Sequence, residues 1–424
     1  MKAQLTLLTP AKPSLGLYLR PGWNDHTVFI KLLAEDKAVS GLVLDARYQQ
    51  RHEQLREVLM AGGVHAVLDT DFMQMSTPGG SVLGGLDSLP WRRLAEATPA
   101  ELKGQAGREL ASLVADIVAG QGFSAVLAPT HLLKNATDKF FGADRVVAAY
   151  LRSELDRRDM TETPIFYPLA LPASSLRDTT QRAIVMDGLH GVDLDAVWLR
   201  LHPFGTSSAG PLALRHYIEI GWELGRLGLP IVAERTGTVG LALMAFGAAG
   251  GIESGITLGE RFDARAWSRP PDPNKKPYSH PPQIYLHEMA AFASSDVARK
   301  LAGNRQMAAA LGCRDPFCCR RGMDGMLADP RRHFVLRRTA EVERIGTVAP
   351  DARTSVYTHD ILQPAALLSV RASRVAPELA GVQHRLEGWH RALEFLESRG
   401  QCPAPVPALG QRVRTARPKP YSVY

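Results

Sequence analysis

The sequence predicts a closed (β/α)8 barrel with a small cysteine-bearing appendage after its eighth strand. Two observations lead to this prediction. Eight short apolar stretches alternate with longer stretches of helical periodicity over about the first 260 residues, which is the count and length of a single barrel. Three of the four cysteines then fall close together, at positions 313, 318 and 319.

The predicted strands are short and apolar on both faces, as expected for parallel strands that are covered by helices. They span residues 15–20, 41–47, 65–70, 124–130, 164–171, 196–202, 230–235 and 253–259. An open, doubly wound sheet is the alternative fold. No G-x-G-x-x-G motif follows the first strand, which weakens the dinucleotide-binding version of that alternative.

Helical spacing fills the segments between the strands. A helix is predicted near 98–120, where one face carries Leu102, Leu110, Leu113, Ile117 and Val118. The proline-rich, charged stretch 264–284 is typical of a loop, and a further helix is expected near 285–310.

A last helix is predicted from an apolar seam that would pack on the barrel or on a second subunit of a homo-oligomer. The seam comprises Leu379, Val382, Leu386, Trp389, Leu393 and Leu396. The predicted organisation is a barrel over 1–265, a linker, helix and Cys/His appendage over 266–345, and a helical segment with a basic tail over 346–424.

Composition excludes several classes of protein. Apolar residues make up 45% of the 424 residues and charged residues 22%, which is typical of a folded soluble enzyme. The sequence has no apolar run of about 18 residues, so it predicts no membrane span. The N-terminus does not resemble a signal peptide. The few, clustered cysteines favour a reducing cytoplasm. The net charge of +7 is compatible with a nucleic-acid partner, but many basic proteins bind no anion.

The polar residues at the carboxyl ends of the predicted strands are the candidates for chemistry, because barrel active sites form there. As a set they place acids and donors around one mouth, as acid–base or nucleophilic catalysis needs. Helix caps and ion pairs at strand ends are the alternative. These residues are Asp45, Asp69, Asp71, Gln74, Lys134, Asn135, His202, Glu234, Arg235, Glu260 and Asp263.

A small-residue loop, HPFGTSSAG, follows the sixth predicted strand at 202–210. Its small side chains, including Gly205, would let backbone N–H groups approach an anion or a base edge. The alternative is a flexible loop in which Ser208 or a neighbour caps the next helix.

The appendage carries a candidate metal site. Cys313, Cys318, Cys319 and His333 offer three thiolates and an imidazole, a donor set that suits tetrahedral Zn²⁺. The spacing C-x4-C-C-x13-H is not that of a standard zinc knuckle. The alternative is three buried cysteines and a surface histidine.

The layout resembles the tRNA-guanine transglycosylases, in which a (β/α)8 barrel is followed by a zinc-binding subdomain with three cysteines and one histidine. Residues 15–345 carry the resemblance. In VLDTDFMQM (67–75), Asp69 and Gln74 keep the family's spacing between an acid and a glutamine at the end of an early strand. The stretch HFVLRRTAEVERIG, which begins at His333, resembles the helix that carries the zinc-binding histidine.

The resemblance implies an enzyme that exchanges a guanine-type base in tRNA or DNA for a 7-deazaguanine. Asp69 would lie beside the base, while a carboxylate on the last strand attacks the sugar. The family's aspartate at that place corresponds to Ile256 here, so Glu260 or Asp263 would have to supply the second carboxylate.

Five further residues are expected to contact the purine-like base or its nucleic acid: Asp71, Gln74, His202, Gly205 and Glu234. The sequence also departs from the family in this region. Asp71 and Phe72 replace the family's glycine pair, and the cysteine spacing is altered.

Two other functions stay open. A non-catalytic barrel that binds nucleic acid or a partner protein is favoured by the missing aspartate. An unrelated barrel enzyme that acts on a small molecule, with structural cysteines, would show no affinity for nucleic acid.

Overall fold

The computed structural model describes residues 16–399, apart from 36, 38, 40, 80–84, 257–259 and 269–282. Most of the predicted loop 264–284, Cys402 and the basic tail therefore lie outside the described residues. Eight parallel strands form a closed barrel: β1 Gly16–Arg20, β2 Gly41–Asp45, β3 His65–Asp69, β4 Ala125–Leu127, β5 Ile165–Pro172, β6 Ala196–His202, β7 Ile231–Glu234 and β8 Gly251–Gly255.

Each strand pairs with the next along the chain, and β8 closes the barrel on β1 with Gly251 opposite Gly16. The predicted (β/α)8 barrel is confirmed. Its eighth strand begins and ends earlier than the predicted 253–259.

The helices that cover the barrel are α1 His26–Ala34, α2 Glu53–Ala61, α3 Gln105–Gln121, α4 Lys139–Arg157, α5 Thr179–Leu189, α6 Pro211–Leu224 and α7 Thr238–Ala245. A short helix, Phe72–Ser76, follows β3. The helix expected near 98–120 is two helices. A capping box between Thr98 and Glu101 begins the first, Pro99–Leu102, and the backbone of Gly104, at φ −112° and ψ −133°, leaves helical geometry before α3 begins.

Alternation along the strands decides what lies inside the barrel. An apolar layer fills the middle and includes Tyr18, Val43, Val67, Trp198 and Val232. Two residues further along their strands, the same inward-facing row holds Arg20, Asp45, Asp69, Arg200 and Glu234. The interior therefore changes from apolar to charged at its carboxyl end.

The appendage begins with an antiparallel hairpin, β9 Ile284–Leu286 and β10 Ala291–Ala293. The prediction of one helix from 285 was wrong in this first part. The turn includes Ala290 at φ 48°, and the paired IYL and AFA segments bury apolar side chains. The helices α8 Ser295–Gly303, α9 Arg305–Leu311, α10 Met323–Ala328 and α11 Pro330–Thr347 follow.

The C-terminal segment contains a three-residue helix Arg353–Ser355, a π-helical turn Val356–Leu362, and the helices α12 Gln363–Val375 and α13 Ala380–Ser398. Trp389 of α13 is fully buried and donates its indole N–H to the carbonyl oxygen of Ala209 at 2.8 Å. The predicted apolar seam therefore packs on the barrel. In the described part of the chain, no helix has the length and apolar character that crossing a bilayer requires.

Candidate functional site

Six charged side chains converge at the carboxyl end of the barrel, and each is almost completely buried. We call them the mouth network: Arg20 of β1, Asp45 of β2, Asp69 of β3, Arg200 of β6, Glu234 of β7 and Glu253 of β8. They share one level because parallel strands in register end together. Asp45 lies opposite Asp69, and Glu234 lies opposite Glu253.

Arg20 is the centre of the mouth network, since its guanidinium contacts all four carboxylates. Nη1 donates to Asp45 and, at 2.8 Å, to Oδ2 of Asp69. Nε donates to Glu253 at 3.0 Å, and Nη2 donates to Glu234 at 3.3 Å. A planar guanidinium has five N–H donors and can therefore serve four carboxylates at once, whereas a lysine ammonium has only three donors.

Arg200 closes the opposite side of the network. Its Nη2 donates to Oδ2 of Asp69 at 2.9 Å, and its Nε donates to Glu234. Asp69 therefore lies between two arginines. Burial alone would raise the pKa of Asp69, but the two guanidiniums outweigh burial and hold its pKa well below the usual range.

Asp71 has the opposite character. Burial, together with the charges of Asp45 and Asp69, raises the pKa of Asp71 to about 8, even though Arg47 lies 3.4 Å away. Its backbone is held in the left-handed region at φ 55°, as is that of Arg235 at φ 51° across the mouth. Strain of this kind in non-glycine residues concentrates at functional sites.

The space at the mouth is small. The cavity between the charged side chains has a volume of about 20 Å³, enough for one water molecule. Four members of the mouth network border it, namely Arg20, Asp69, Arg200 and Glu234, and Arg235, Phe262 and Trp267 border it as well. A ligand the size of a purine can enter only if some of these side chains move.

Five of the sequence-predicted residues meet at this cavity: Asp69, Asp71, Gln74, Glu234 and Arg235. Arg47 connects two of them, since its Nη1 donates to Gln74 at 2.9 Å and its backbone N–H donates to Asp71 at 3.0 Å. Asp69 and Gln74, the pair that carries the resemblance to the transglycosylases, thus border the same cavity.

Glu260 does not contact this group. It is buried beside α11, where Nη2 of Arg338 donates to Oε1 of Glu260 at 2.6 Å. The backbone N–H of Thr238 donates to Oε2 at 3.3 Å. Burial raises the pKa of Glu260 despite the neighbouring Arg338. In the structure Glu260 joins the barrel to α11.

Asp263 lies near the surface and pairs with Arg261 at 2.9 Å and Arg265 at 2.7 Å. Hydrogen bonds from Arg265 lower its pKa. It therefore carries a charge that its own neighbours already neutralise.

His202 and Gly205 also lie beside the mouth cavity rather than on its wall. The ring of His202 packs edge-on against Phe262 with 5.9 Å between centroids, and burial lowers its pKa. Gly205 pairs with Arg261 in a two-residue antiparallel ladder. A Cβ atom at Gly205 would lie 2.7 Å from the carbonyl oxygen of Glu260, so close backbone packing requires glycine here.

The appendage brings Cys313, Cys318, Cys319 and His333 together, with one ligand atom from each within 4.8 Å of the others. This group could hold a metal ion. Sγ of Cys318 is 3.7 Å from Sγ of Cys319, and the two sulfurs lie 3.4 and 3.3 Å from Nδ1 of His333. Two sulfurs that each lie about 2.3 Å from one tetrahedral ion are about 3.8 Å apart, so the observed spacing fits an ion.

The imidazole of His333 is oriented for this role. Its Nε2 lies 3.0 Å from the carbonyl oxygen of Tyr285, which can only accept a hydrogen bond, so Nδ1 keeps its lone pair for an ion. Without a cation the thiols cannot all ionise, because contacts among them lower the pKa of Cys313 and raise the pKa of Cys318. A divalent ion would hold three thiolates together.

Sequence reasoning missed three members of the mouth network: Arg20, Arg200 and Glu253. Arg20 is the last residue of its apolar strand, as several of the predicted acids are of theirs, so its position could have identified it as a residue of the barrel mouth. Arg200 and Glu253 lie inside their strands, where only the alternation of inward and outward residues identifies them. Ile256 is buried beyond the end of β8. The carboxylate of β8 that points into the mouth is Glu253, which Arg20 contacts.

No protein-family model matches the chain, and a search of curated proteins finds no match.

Proposed function

We propose that this chain is a transglycosylase that exchanges a guanine-type base in tRNA or DNA for a 7-deazaguanine, with the barrel mouth as its active site. One observation carries the proposal. Asp69 and Asp71 are two carboxylates at one cavity whose surroundings push their pKa values apart. Such a divergence separates an ionised carboxylate from a proton donor.

Cleavage of a glycosidic bond needs both groups. In the proposed reaction the ionised Asp69 stabilises positive charge on the ribose while the C–N bond breaks, and protonated Asp71 gives its proton to the leaving base. The incoming deazaguanine forms the new C–N bond and returns one proton to Asp71. Atoms and charge balance without a further reactant.

The proposed cofactor is a structural Zn²⁺ held by Cys313, Cys318, Cys319 and His333. Three sulfurs and one nitrogen around one point are the donor set and number that zinc prefers in closed structural sites. All four ligand positions are filled by protein, which supports a structural rather than a catalytic ion.

The test is an exchange assay with radiolabelled guanine or 7-deazaguanine, run on tRNA and on DNA separately. Asp69→Asn and Asp71→Asn should each lower the exchange rate by at least about a hundredfold, the low end for a lost acid–base group. Asp87→Asn is the matched control, because that carboxylate pairs with Arg92 at the surface, and it should keep the full rate. Thermal unfolding of each variant shows whether it is folded.

The two acids predicted beyond the last strand enter the same assay. If Glu260→Gln or Asp263→Asn abolishes exchange while Asp71→Asn does not, the second carboxylate is one of these two and the pairing proposed above is wrong.

A non-catalytic nucleic-acid-binding barrel is the second candidate, and one observation favours it. By the resemblance, Ile256 corresponds to the family's attacking aspartate, and both inward arginines pair with Asp69. Wild-type protein that binds tRNA or DNA but incorporates no labelled base would establish this alternative.

A further inference from the structure

A cluster of aromatic and cationic side chains adjoins the mouth on the loops that follow β1 and β2. Trp23 is 54% exposed and meets the ring of Tyr48 edge-on, with 5.4 Å between centroids. The guanidinium of Arg51 lies 5.5 Å from the Trp23 ring, and that of Arg47 lies 5.0 Å from the Tyr48 ring. We call Trp23, Tyr48, Arg47 and Arg51 the rim cluster.

The loop that presents Trp23 is fixed by hydrogen bonds. The backbone N–H of Gly22 donates to Asp25 at 2.9 Å, and Nε2 of the buried His52 lies 3.2 Å from the carbonyl oxygen of Gly22. Nη2 of Arg51 donates to the side-chain oxygen of Asn24 at 3.3 Å. The backbone is therefore held while the indole stays in water, an arrangement that lowers the cost of binding a flat ligand.

The rim cluster is continuous with the mouth cavity through Arg47, whose guanidinium contacts Asp71, Gln74 and the ring of Tyr48. Arg51, at the outer end, forms no ion pair with any carboxylate in the described part of the chain. An exposed aromatic ring beside an uncompensated guanidinium suits a base with its phosphate.

We propose that the rim cluster binds an unpaired nucleotide adjacent to the one in the mouth, with the base stacked on Trp23 and its phosphate contacted by Arg51. This inference rests on the proposed function for the identity of the substrate as nucleic acid. The proposal adds a second nucleotide-binding subsite to the mouth and requires that the bound segment of nucleic acid be single-stranded.

The test is fluorescence anisotropy with short labelled oligonucleotides of single-stranded RNA or DNA, each in a normal and an abasic form, and the full chain. Trp23→Ala should weaken binding of the normal oligonucleotide by about five- to a hundredfold, the range for one base–aromatic stack. It should change binding of the abasic form little, because the phosphates are unaltered. Trp23→Phe should restore most of the affinity. Arg51→Gln should lower the slope of log affinity against log salt by about one.

Phe395→Ala is the matched control. Phe395, on the last helix, is likewise an exposed ring (48%), and the guanidiniums of Arg215 and Arg399 lie over it. It should leave binding unchanged. Equal loss of affinity for normal and abasic forms, or no loss in Trp23→Ala, overturns the subsite. If Trp23→Ala still exchanges bases with the wild-type KM, the subsite is wrong but the proposed function stands. If the wild type binds the oligonucleotides through Trp23 but exchanges no base, the proposed function alone is wrong.

Discussion

The backbone N–H of Asp71 donates a 3.0 Å hydrogen bond to Oδ1 of Asp69. The bond stabilises the ionised form of Asp69, while the nearby negative charge makes ionisation of Asp71 less favourable. Two acids that are neighbours in sequence and in space thus hold different numbers of protons at neutral pH.

The protonation of Asp71 predicts how stability depends on pH. Its pKa is about 8 in the folded protein and about 3.9 in an unfolded chain. Between these values the folded state binds more protons, so this residue makes the protein less stable as pH rises. Asp71→Asn removes the effect. Between pH 6 and 9 the wild type should lose about 1–3 kcal/mol of unfolding free energy relative to Asp71→Asn, measured by urea denaturation. Parallel pH curves for the two proteins would show that Asp71 is ionised throughout.

If protonated Asp71 is the acid in base exchange, the rate should fall as pH rises above about 8. The measurement is kcat for incorporation of labelled base from pH 6 to pH 9. A rate that is constant across this range would assign the proton transfer to another group.

Arg20 is expected to be important for stability because its guanidinium contacts all four mouth carboxylates. Arg20→Leu leaves these buried charges with fewer partners and should lower the unfolding free energy by about 3–5 kcal/mol. Arg299→Leu removes an exposed arginine paired with Asp296, and it should cost no more than about 1 kcal/mol. Similar values for the two variants in urea denaturation would contradict a structural role for the network.

Much of this architecture could be predicted from the sequence, because each strand is a short apolar run that is followed by a stretch with the periodicity of a helix. The carboxylates at strand ends were visible for the same reason. The arginines were harder to predict, since Arg200 lies within an apolar strand and its side chain finds Asp69, 131 residues earlier in the chain, only once the barrel has closed. Glu260 follows the last strand in sequence, but its carboxylate pairs with the buried Arg338 of α11 instead of joining the mouth network.

The metal group yields a prediction that does not depend on activity. Purified protein should contain close to one zinc per chain by elemental analysis, and His333→Ala or Cys319→Ser should contain almost none. If this group binds zinc, the ion stabilises the folded appendage, and a chelator should lower the unfolding temperature of the wild type. Cys402→Ser, which changes the one cysteine outside this group, should keep its zinc. Protein without metal whose thiols all react freely under native conditions would contradict the site.

The pairing of β1 with β8 has a consequence for the order in which the molecule can assemble. Gly16 and Gly251 are 235 residues apart, so the ribosome must add about 235 residues after the first strand before that strand can meet its second neighbour. Until then β1 is an open sheet edge, and Arg20 lacks Glu234 and Glu253 as partners. Barrel closure and completion of the charged mouth therefore form one late, cooperative event during synthesis, and chains cut short before residue 253 lack both.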